Sequence, residues 1–241
     1  MKRRSPSSRL HVFLHKQHIK QQTNMKLKIY LLLSVLCFQA TCLASTDNEE
    51  KTTNRISWEG AISGDAWRTE FSYHYMLSPY YGFGGSIGRI QGLEDFSGGD
   101  GWLVDEDSQR PSHLYLAPSI HFDLPSIVKI GKIGIGLYAE PGLMLTIPHE
   151  RINYEDHSMP YPKHEDRHMS SNGGNWAFFN VKAGLNIHVH KNLCFTVGYN
   201  FSTFDINTTR RTMKYNNKSI EPLLPAKENL HEITVSLVGY F

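Results

Sequence analysis

The last twelve residues, 230–241, have the sequence LHEITVSLVGYF. Because successive side chains of a β-strand point to opposite faces, this stretch predicts a strand with one apolar and one polar face. The apolar face carries Ile233, Val235, Leu237 and Phe241. The polar face carries Glu232, Thr234, Ser236 and Tyr240. A soluble protein would turn the apolar face inward, whereas a transmembrane barrel turns it towards lipid around a polar interior.

Seven further segments alternate in the same way, and the chain has no convincing helical period, which predicts an all-β fold. These segments are residues 55–62, 66–77, 80–91, 113–123, 132–147, 175–189 and 193–204. The sixteen residues of 132–147 show the clearest alternation and form a strand longer than a soluble sandwich requires. Residues 55–77 could instead form one long kinked strand, which would leave seven strands.

From the second segment onward, the links between the segments alternate between short and long. The long links are residues 92–111, 148–174 and 205–229, and the first hairpin has only a short turn at Ser63-Gly64-Asp65. Outer-membrane barrels have short turns on the periplasmic side and long loops on the outer side. The pattern therefore predicts an eight-stranded antiparallel up-and-down transmembrane β-barrel. A soluble secreted barrel or sandwich is the alternative.

An outward apolar face would place ionisable side chains of both signs inside the barrel. The predicted interior set is Glu59, Arg68, Glu70, His74, His113, His121, Asp123, Lys132, Glu140, Lys182, His188 and Glu232. An unpaired buried charge is strongly destabilising, and an eight-stranded barrel is just wide enough for side chains to fill it. We therefore expect ion pairs that plug the lumen, with Arg68, Lys132 or Lys182 as the partner of Glu232.

The first 53 residues are predicted to lie outside the barrel domain, which comprises residues 54–241. Residues 25–44 have the features of a secretory signal peptide, with Lys26 and Lys28 before a ten-residue apolar run and cleavage expected after Ala44. That run is too short to span a bilayer as a helix. Residues 45–53 form a polar tether. Residues 1–24 are interpreted as an extension before a start at Met25, although a start at Met1 with an organellar transit peptide is the alternative.

The charge of the chain changes sign when the leader is set aside. Residues 1–44 contain eight Lys and Arg and no acid, so the remainder has 17 basic and 23 acidic residues, a net charge of −6. This balance argues against a nucleic-acid partner, which requires a basic face. Cys194 is the one cysteine after residue 44, so no disulfide can form within that part of the chain.

The signal peptide, the alternation of turns and loops, the segment YYGFGG at residues 80–85 and the terminal Phe241 together carry a family resemblance. The chain resembles small eight-stranded outer-membrane barrels of the OmpA and OmpX type and porin-family barrels of Bacteroidetes. The resemblance implies a protein of a bacterial outer membrane that contacts lipid and lipopolysaccharide; its oligomeric state stays open, with a monomer favoured. It also implies that the barrel-assembly machinery recognises the strand ending at Phe241. Gly239 departs from the family pattern, in which an aromatic residue is more usual.

The sequence favours a structural or surface-interaction role for three long loops, and we predict no catalytic, cofactor-binding or metal-binding residues. His149, His157, His164 and His168 lie near acidic residues, but their spacing matches no compact metal motif. No Ser–His pairing of defined spacing suggests a nucleophile. Alternative functions are a porin-like channel for small solutes and, less favoured, an enzyme that modifies lipid A.

Overall fold

The computed structural model describes residues 54–124, 126–157, 165–190 and 192–241. The predicted extension 1–24, signal peptide 25–44 and tether 45–53 lie outside the described residues. Eight long strands form the main sheet. They are β1 (Asn54–Ile62), β2 (Ala66–Ser78), β3 (Tyr81–Gly92), β4 (Ser112–Asp123), β5 (Ile133–Thr146), β6 (Ala177–His190), β7 (Leu193–Ser202) and β8 (Leu230–Tyr240).

The eight strands form a closed antiparallel barrel. Each strand pairs with its neighbours in sequence, and β8 pairs with β1 to complete the ring. The prediction of eight up-and-down strands is confirmed. The single kinked strand over residues 55–77 is wrong, because the backbone reverses between β1 and β2 and the Ser63 hydroxyl accepts a hydrogen bond from the Ala66 amide at 2.8 Å.

Shorter elements lie in the links. They are the strands Gly98–Gly99, Trp102–Val104, Val128–Ile130, Glu150–Asp156, Glu165–Ser171, Lys214–Tyr215 and Lys218–Ser219, the helix Glu106–Gln109, and 3₁₀ turns at Arg210–Thr212 and Glu221–Leu223. None of the helices in the described ranges is long and apolar enough to cross a membrane.

The barrel has its apolar faces outside and its polar faces inside. Trp58, Leu114 and Ile233 are more than 60% exposed, whereas the inward Arg68 and His74 are at most 1% exposed. A soluble barrel with an apolar core is therefore contradicted. Lipid is the solvent that suits such an exterior, and closure of the sheet leaves no strand edge unpaired within it. The architecture is that of a transmembrane barrel.

The two ends of the barrel differ in the length of their links. The short turns after β2 and β6, the 124–132 link and the two ends of the described chain lie together at one end, where the Phe241 amide donates to the Asn54 carbonyl at 3.1 Å. The three long loops lie at the other end with the short β1–β2 turn. Below, these are called the turn end and the loop end.

Candidate functional site

Ten of the twelve predicted interior side chains are buried in the barrel. His188 is half-buried, with its ring centroid 6.2 Å from that of Tyr240. Lys132 was predicted wrongly: it is exposed in the turn before β5, which begins only at Ile133. Arg55 was missed although it shares a face with Glu59, and it is 2% exposed. The side-chain alternation that placed Glu59 inside was sufficient to place Arg55 there as well.

Arg68 is at the centre of the first cluster of buried charges, which we call the central cluster. Its guanidinium donates to Glu232 through Nε at 2.9 Å, to Glu59 through Nη2 at 2.9 Å and to Glu70 through Nη1 at 2.5 Å. Lys182 contacts the carboxylates of Glu59, at 3.0 Å, and Glu70. The predicted pairing of Glu232 with a cation is confirmed, and the partner is Arg68.

A second cluster, the lower cluster, lies nearer the turn end. Its carboxylates belong to Glu140 and Asp123. His121 bridges them, with Nδ1 3.1 Å from Glu140 Oε2 and Nε2 3.2 Å from Asp123 Oδ2. Arg55 Nη1 lies 3.9 Å from Glu140, and the Tyr240 hydroxyl donates to Asp123 at 3.2 Å. The lower cluster therefore joins side chains of β1, β4, β5 and β8 across the lumen.

The lower cluster also contains a Ser–His contact that sequence spacing did not suggest. His74 Nε2 and Ser119 Oγ are 2.8 Å apart, although 45 positions separate the two residues, and Ser119 also donates to Glu140 at 3.1 Å. The residues lie on β2 and β4, which are separated by β3. His74 is fully buried and Ser119 is 8% exposed, so the contact lies in the interior of the barrel and not on its outer face.

Inward glycines make room for large tyrosine rings. A Cβ atom at Gly88 would lie 2.3 Å from the Tyr115 hydroxyl oxygen, and one at Gly198 would lie 2.3 Å from the Tyr138 hydroxyl oxygen. The Tyr115 hydroxyl donates to Glu70 at 2.5 Å, so the ring is held in place by the central cluster. The glycine-rich faces thus allow aromatic side chains to lie across the lumen.

The loop end of the lumen contains an apolar layer. Its buried side chains are Ala66, Ile90, Tyr115, Ala117, Met144, Phe178, Phe204 and Leu230. The alternation predicted Phe204 as the end of a strand, but β7 ends at Ser202 and the Ser202 hydroxyl accepts from the Phe204 amide at 3.2 Å. Phe204 folds inward, and its ring stands perpendicular to that of Phe178 with centroids 4.9 Å apart.

The described parts of the three long loops form a cap with its own core. Glu165–Ser171, Glu150–Asp156, Trp102–Val104 and Gly98–Gly99 form a four-stranded sheet that joins the first two loops. Trp102 stacks on Tyr215 of the third loop, with ring centroids 5.0 Å apart, and meets Tyr154 edge-on at 5.5 Å. The aromatic contacts therefore involve all three loops.

Arg210 joins the loops through hydrogen bonds. This third-loop side chain is 1% exposed. It donates through Nε to Glu150 of the second loop at 2.7 Å, and through Nη1 and Nη2 to the Gln109 and Ser108 carbonyls of the first loop at 2.6 and 2.8 Å. A charged donor to buried acceptors is among the stronger hydrogen bonds in proteins. Sequence alternation gave no signal for this residue, because its partners lie in loops.

The His-rich part of the second loop is only partly described, because His164 lies outside the described residues. Where the chain is described, no group of three His, Cys, Asp or Glu side chains is arranged to hold a metal ion. His149 Nδ1 lies 2.6 Å from the Asn172 side-chain oxygen, and Asp156 pairs with Arg167 at 3.3 Å. The absence of a metal site stays a prediction.

Around the barrel, aliphatic and aromatic side chains cover the outer surface. Phe71, Phe83, Ile87, Phe195 and Val235 are each more than 40% exposed on that surface. Phe241 is 58% exposed beside the β1–β8 seam, at the turn end. These outward side chains are the part of the molecule that a bilayer would contact.

No protein-family model and no curated protein matches this sequence. Solved barrels similar to the chain include the N-terminal β-barrel domain of Pseudomonas aeruginosa OprF, with 12% identity, a TM-score of 0.40, and coverage of 80% of this chain and 100% of that one. Neisserial surface protein A has 13% identity and a TM-score of 0.43, with coverage of 78% and 94%. A major outer membrane protein from Thermus thermophilus has 11% identity and a TM-score of 0.42, with coverage of 78% and 99%. The closed pairing of β1 to β8 and its outward apolar faces establish the fold of the small eight-stranded outer-membrane barrels.

Proposed function

We propose that the chain is a non-enzymatic barrel of a bacterial outer membrane, with a lumen closed to solutes and an ordered loop cap with a structural or surface-interaction role. The burial of charged and apolar side chains along the lumen is the observation that carries this proposal. The central and lower clusters occupy it towards the turn end, and the apolar layer occupies it at the loop end. The predicted signal peptide at residues 25–44 supports export to that membrane.

The competing function, a channel for small solutes, requires a continuous aqueous path. A hydrated ion entering from the loop end would first meet the apolar layer, where Met144 and Ile90 have no exposed surface and Phe204 has 1%. Hydrophobic constrictions of this kind gate channels by excluding water. Beyond it, the ion would have to displace Arg68 or Lys182 from their carboxylates, which leaves buried charges unpaired.

Current measurements in planar lipid bilayers test whether the lumen is closed to ions. The barrel, refolded and inserted, is expected to give no sustained single-channel current, while a wide porin inserted in the same bilayers as a control conducts. The double variant Phe178→Ala and Phe204→Ala serves as a second comparison, because it removes the perpendicular ring pair of the apolar layer. Sustained conductance of the unmodified protein would favour the channel instead.

The surroundings of the Ser–His contact argue against the third candidate, an enzyme acting on lipid A. Such an enzyme needs its nucleophile and base within reach of the lipid. Ser119 and His74 face the lumen and are buried there. Mass spectrometry of lipid A from cells with and without the gene is expected to give identical spectra, and a gene-dependent change of acyl chains would contradict the proposal.

The partners we propose are outer-membrane lipid and lipopolysaccharide around the barrel, and the barrel-assembly machinery at the C-terminal strand. The closed ring of β1 to β8 leaves no edge strand within the membrane for pairing with a second copy, which supports a monomer. The outward, 58% exposed ring of Phe241 supports a role in assembly rather than in packing.

Deletion of Phe241 is expected to reduce the amount of folded barrel in the outer membrane. Deletion of Asp100, in the polar first loop, is the control. Normal membrane levels of the Phe241 deletion would contradict a role in assembly.

A further inference from the structure

We propose that a cavity at the loop end binds a small organic cation, an ammonium or guanidinium group attached to an apolar body. The cavity has a volume of about 410 Å³ and lies between the root of the first loop, at Gly92 and Pro111, and the third loop, at Pro225 and Leu230. Ligand pockets for small molecules typically measure about 300–1,000 Å³. The inference goes beyond the closed barrel, since it concerns the outer surface and does not depend on whether the lumen conducts.

The walls of the cavity are largely apolar and come from two packed cores. Phe96 and Leu224 belong to the core of the loop cap, and Phe204 belongs to the apolar layer of the lumen. Ile206 packs against that layer, and Leu223 is 50% exposed. Because these residues are anchored in two cores, the cavity is preformed and offers an apolar surface to the body of a ligand.

Five carboxylates line the same cavity, and two of them already have cationic partners. Asp95 pairs with Arg110 at 2.6 Å, and Asp205 pairs with Arg211 at 2.7 Å. The lining cation, Arg210, is engaged by Glu150 and by two carbonyl groups. Arg110, Arg211 and Arg210 are therefore each committed to other partners.

Three lining carboxylates have no ion-pair partner among the described residues: Asp65, Glu94 and Glu228. They come from three different segments, the β1–β2 turn, the first loop and the third loop. Between residues 92 and 111, the chain has six acidic residues and one basic residue. The lining has five carboxylates and one guanidinium, and a concave surface with such an excess of negative charge attracts cations, so the cavity selects cations over anions of the same shape.

The combination of walls and charges defines the ligand class. An apolar body fits against the phenylalanine and leucine walls, and an ammonium or guanidinium group offsets one of the three negative charges of the uncompensated carboxylates. A bare metal ion would leave the apolar walls unused, and a neutral hydrocarbon would leave the carboxylates without a partner. An aryl- or alkyl-ammonium uses both features.

The test uses the full barrel in nanodiscs of zwitterionic lipid, with 2-phenylethylammonium as the probe and isothermal titration calorimetry as the measurement. Saturable binding that weakens as salt is raised is expected. The anion 3-phenylpropionate has the same ring and a similar length, and it is expected not to bind. Absence of saturable binding of the ammonium, or equal binding of the anion, would overturn the proposal.

Matched variants locate the site. The triple variant Asp65→Asn, Glu94→Gln, Glu228→Gln is expected to bind the probe at least tenfold more weakly. The control triple variant Asp100→Asn, Glu106→Gln, Asp107→Asn removes the same charge from exposed first-loop positions outside the cavity and is expected to bind within twofold of the unmodified protein. Leu223→Ser, at a half-exposed wall position, should weaken binding several-fold. Equal loss in both triple variants would show a general charge effect and would contradict the site.

Discussion

Arg68 and Lys182 lie among Glu59, Glu70 and Glu232, so the central cluster sets two cations against three carboxylates. Alternation of side chains was sufficient to predict that each of the five faces inward. It was not sufficient to predict their pairing, because Arg68 on β2 reaches Glu232 on β8 across the whole of β1. The β1 residue beside Arg68 is the small Ala61, which pairs with Arg68 of β2 on one side and with Thr234 of β8 on the other.

Arg68→Gln tests how much the central cluster contributes to the free energy of unfolding. The substitution removes a cation and leaves Glu59, Glu70 and Glu232 with Lys182 as the remaining cation. Breaking a buried ion pair by removing one partner destabilises proteins by about 3–5 kcal/mol. A loss of this size is expected in the free energy of unfolding, measured by urea titration of the barrel in phospholipid vesicles with tryptophan fluorescence.

Arg89→Gln is the control for Arg68→Gln, because Arg89 faces outward, is exposed and donates to Ser112 at 2.9 Å. It is expected to change the free energy of unfolding by less than about 1 kcal/mol, as exposed polar substitutions do. If both variants unfolded at the same urea concentration as the unmodified barrel, the cluster would have no stabilising role.

The strands were predictable within a residue or two, whereas the structure of the long loops was not. Strands β1 to β8 each have a side-chain period of two that can be counted in the sequence. The loop cap depends on contacts such as Trp102 with Tyr215 and Arg210 with Glu150, which join segments distant in the chain and have no period. Phe204 shows the boundary between the two cases. The predicted strand continued two residues past the end of β7 at Ser202, and the alternation gave no signal that the chain turns inward there.

Arg210→Met tests whether the loop cap is held together by this side chain. The methionine keeps much of the buried volume and loses the donors to Glu150, Gln109 and Ser108. Hydrogen exchange is expected to become at least tenfold faster at the amides of Trp102–Val104 and Glu150–Asp156, while the amides of β1 to β8 keep their protection. Lys214→Met, at an exposed position of the third loop, is the control and should leave both sets unchanged. Unaltered exchange in the cap of Arg210→Met would contradict the assignment.

Which faces of the barrel point outward, and which end carries the long loops, follow from evidence that no single strand contains. The apolar face of β8 alone is compatible with a soluble core or with lipid. Eight strands on a closed ring remove the ambiguity, because their apolar side chains are exposed on the outer surface and their charged side chains are buried inside. The separation of short turns and long loops was predicted from link lengths, and the structure places the three long loops together at one end. Which end faces the cell exterior stays a prediction based on loop length.

Variants with one added exposed cysteine can report this orientation. The native Cys194 is fully buried, so we expect it not to react with the reagent. Asp100→Cys and Lys218→Cys lie at exposed positions of the loop end, and Asn192→Cys lies at an exposed position of the turn end. An impermeant thiol reagent on intact cells is expected to label the first two variants. Asn192→Cys should react only after the outer membrane is permeabilised. Equal labelling of all three on intact cells would contradict the orientation.

The fit between glycines and tyrosine rings has a consequence for how such a sequence can change. Tyr138 on β5 covers Gly198 on β7, two strands away, and a methyl group at position 198 would meet its hydroxyl oxygen at 2.3 Å. A larger residue at position 198 therefore requires a small residue at position 138 and also a shift of the Ala183 carbonyl on β6, whose oxygen would lie 2.8 Å from the added methyl group. In an alignment of relatives with this interior, these two positions are expected to covary although their strands share no hydrogen bond.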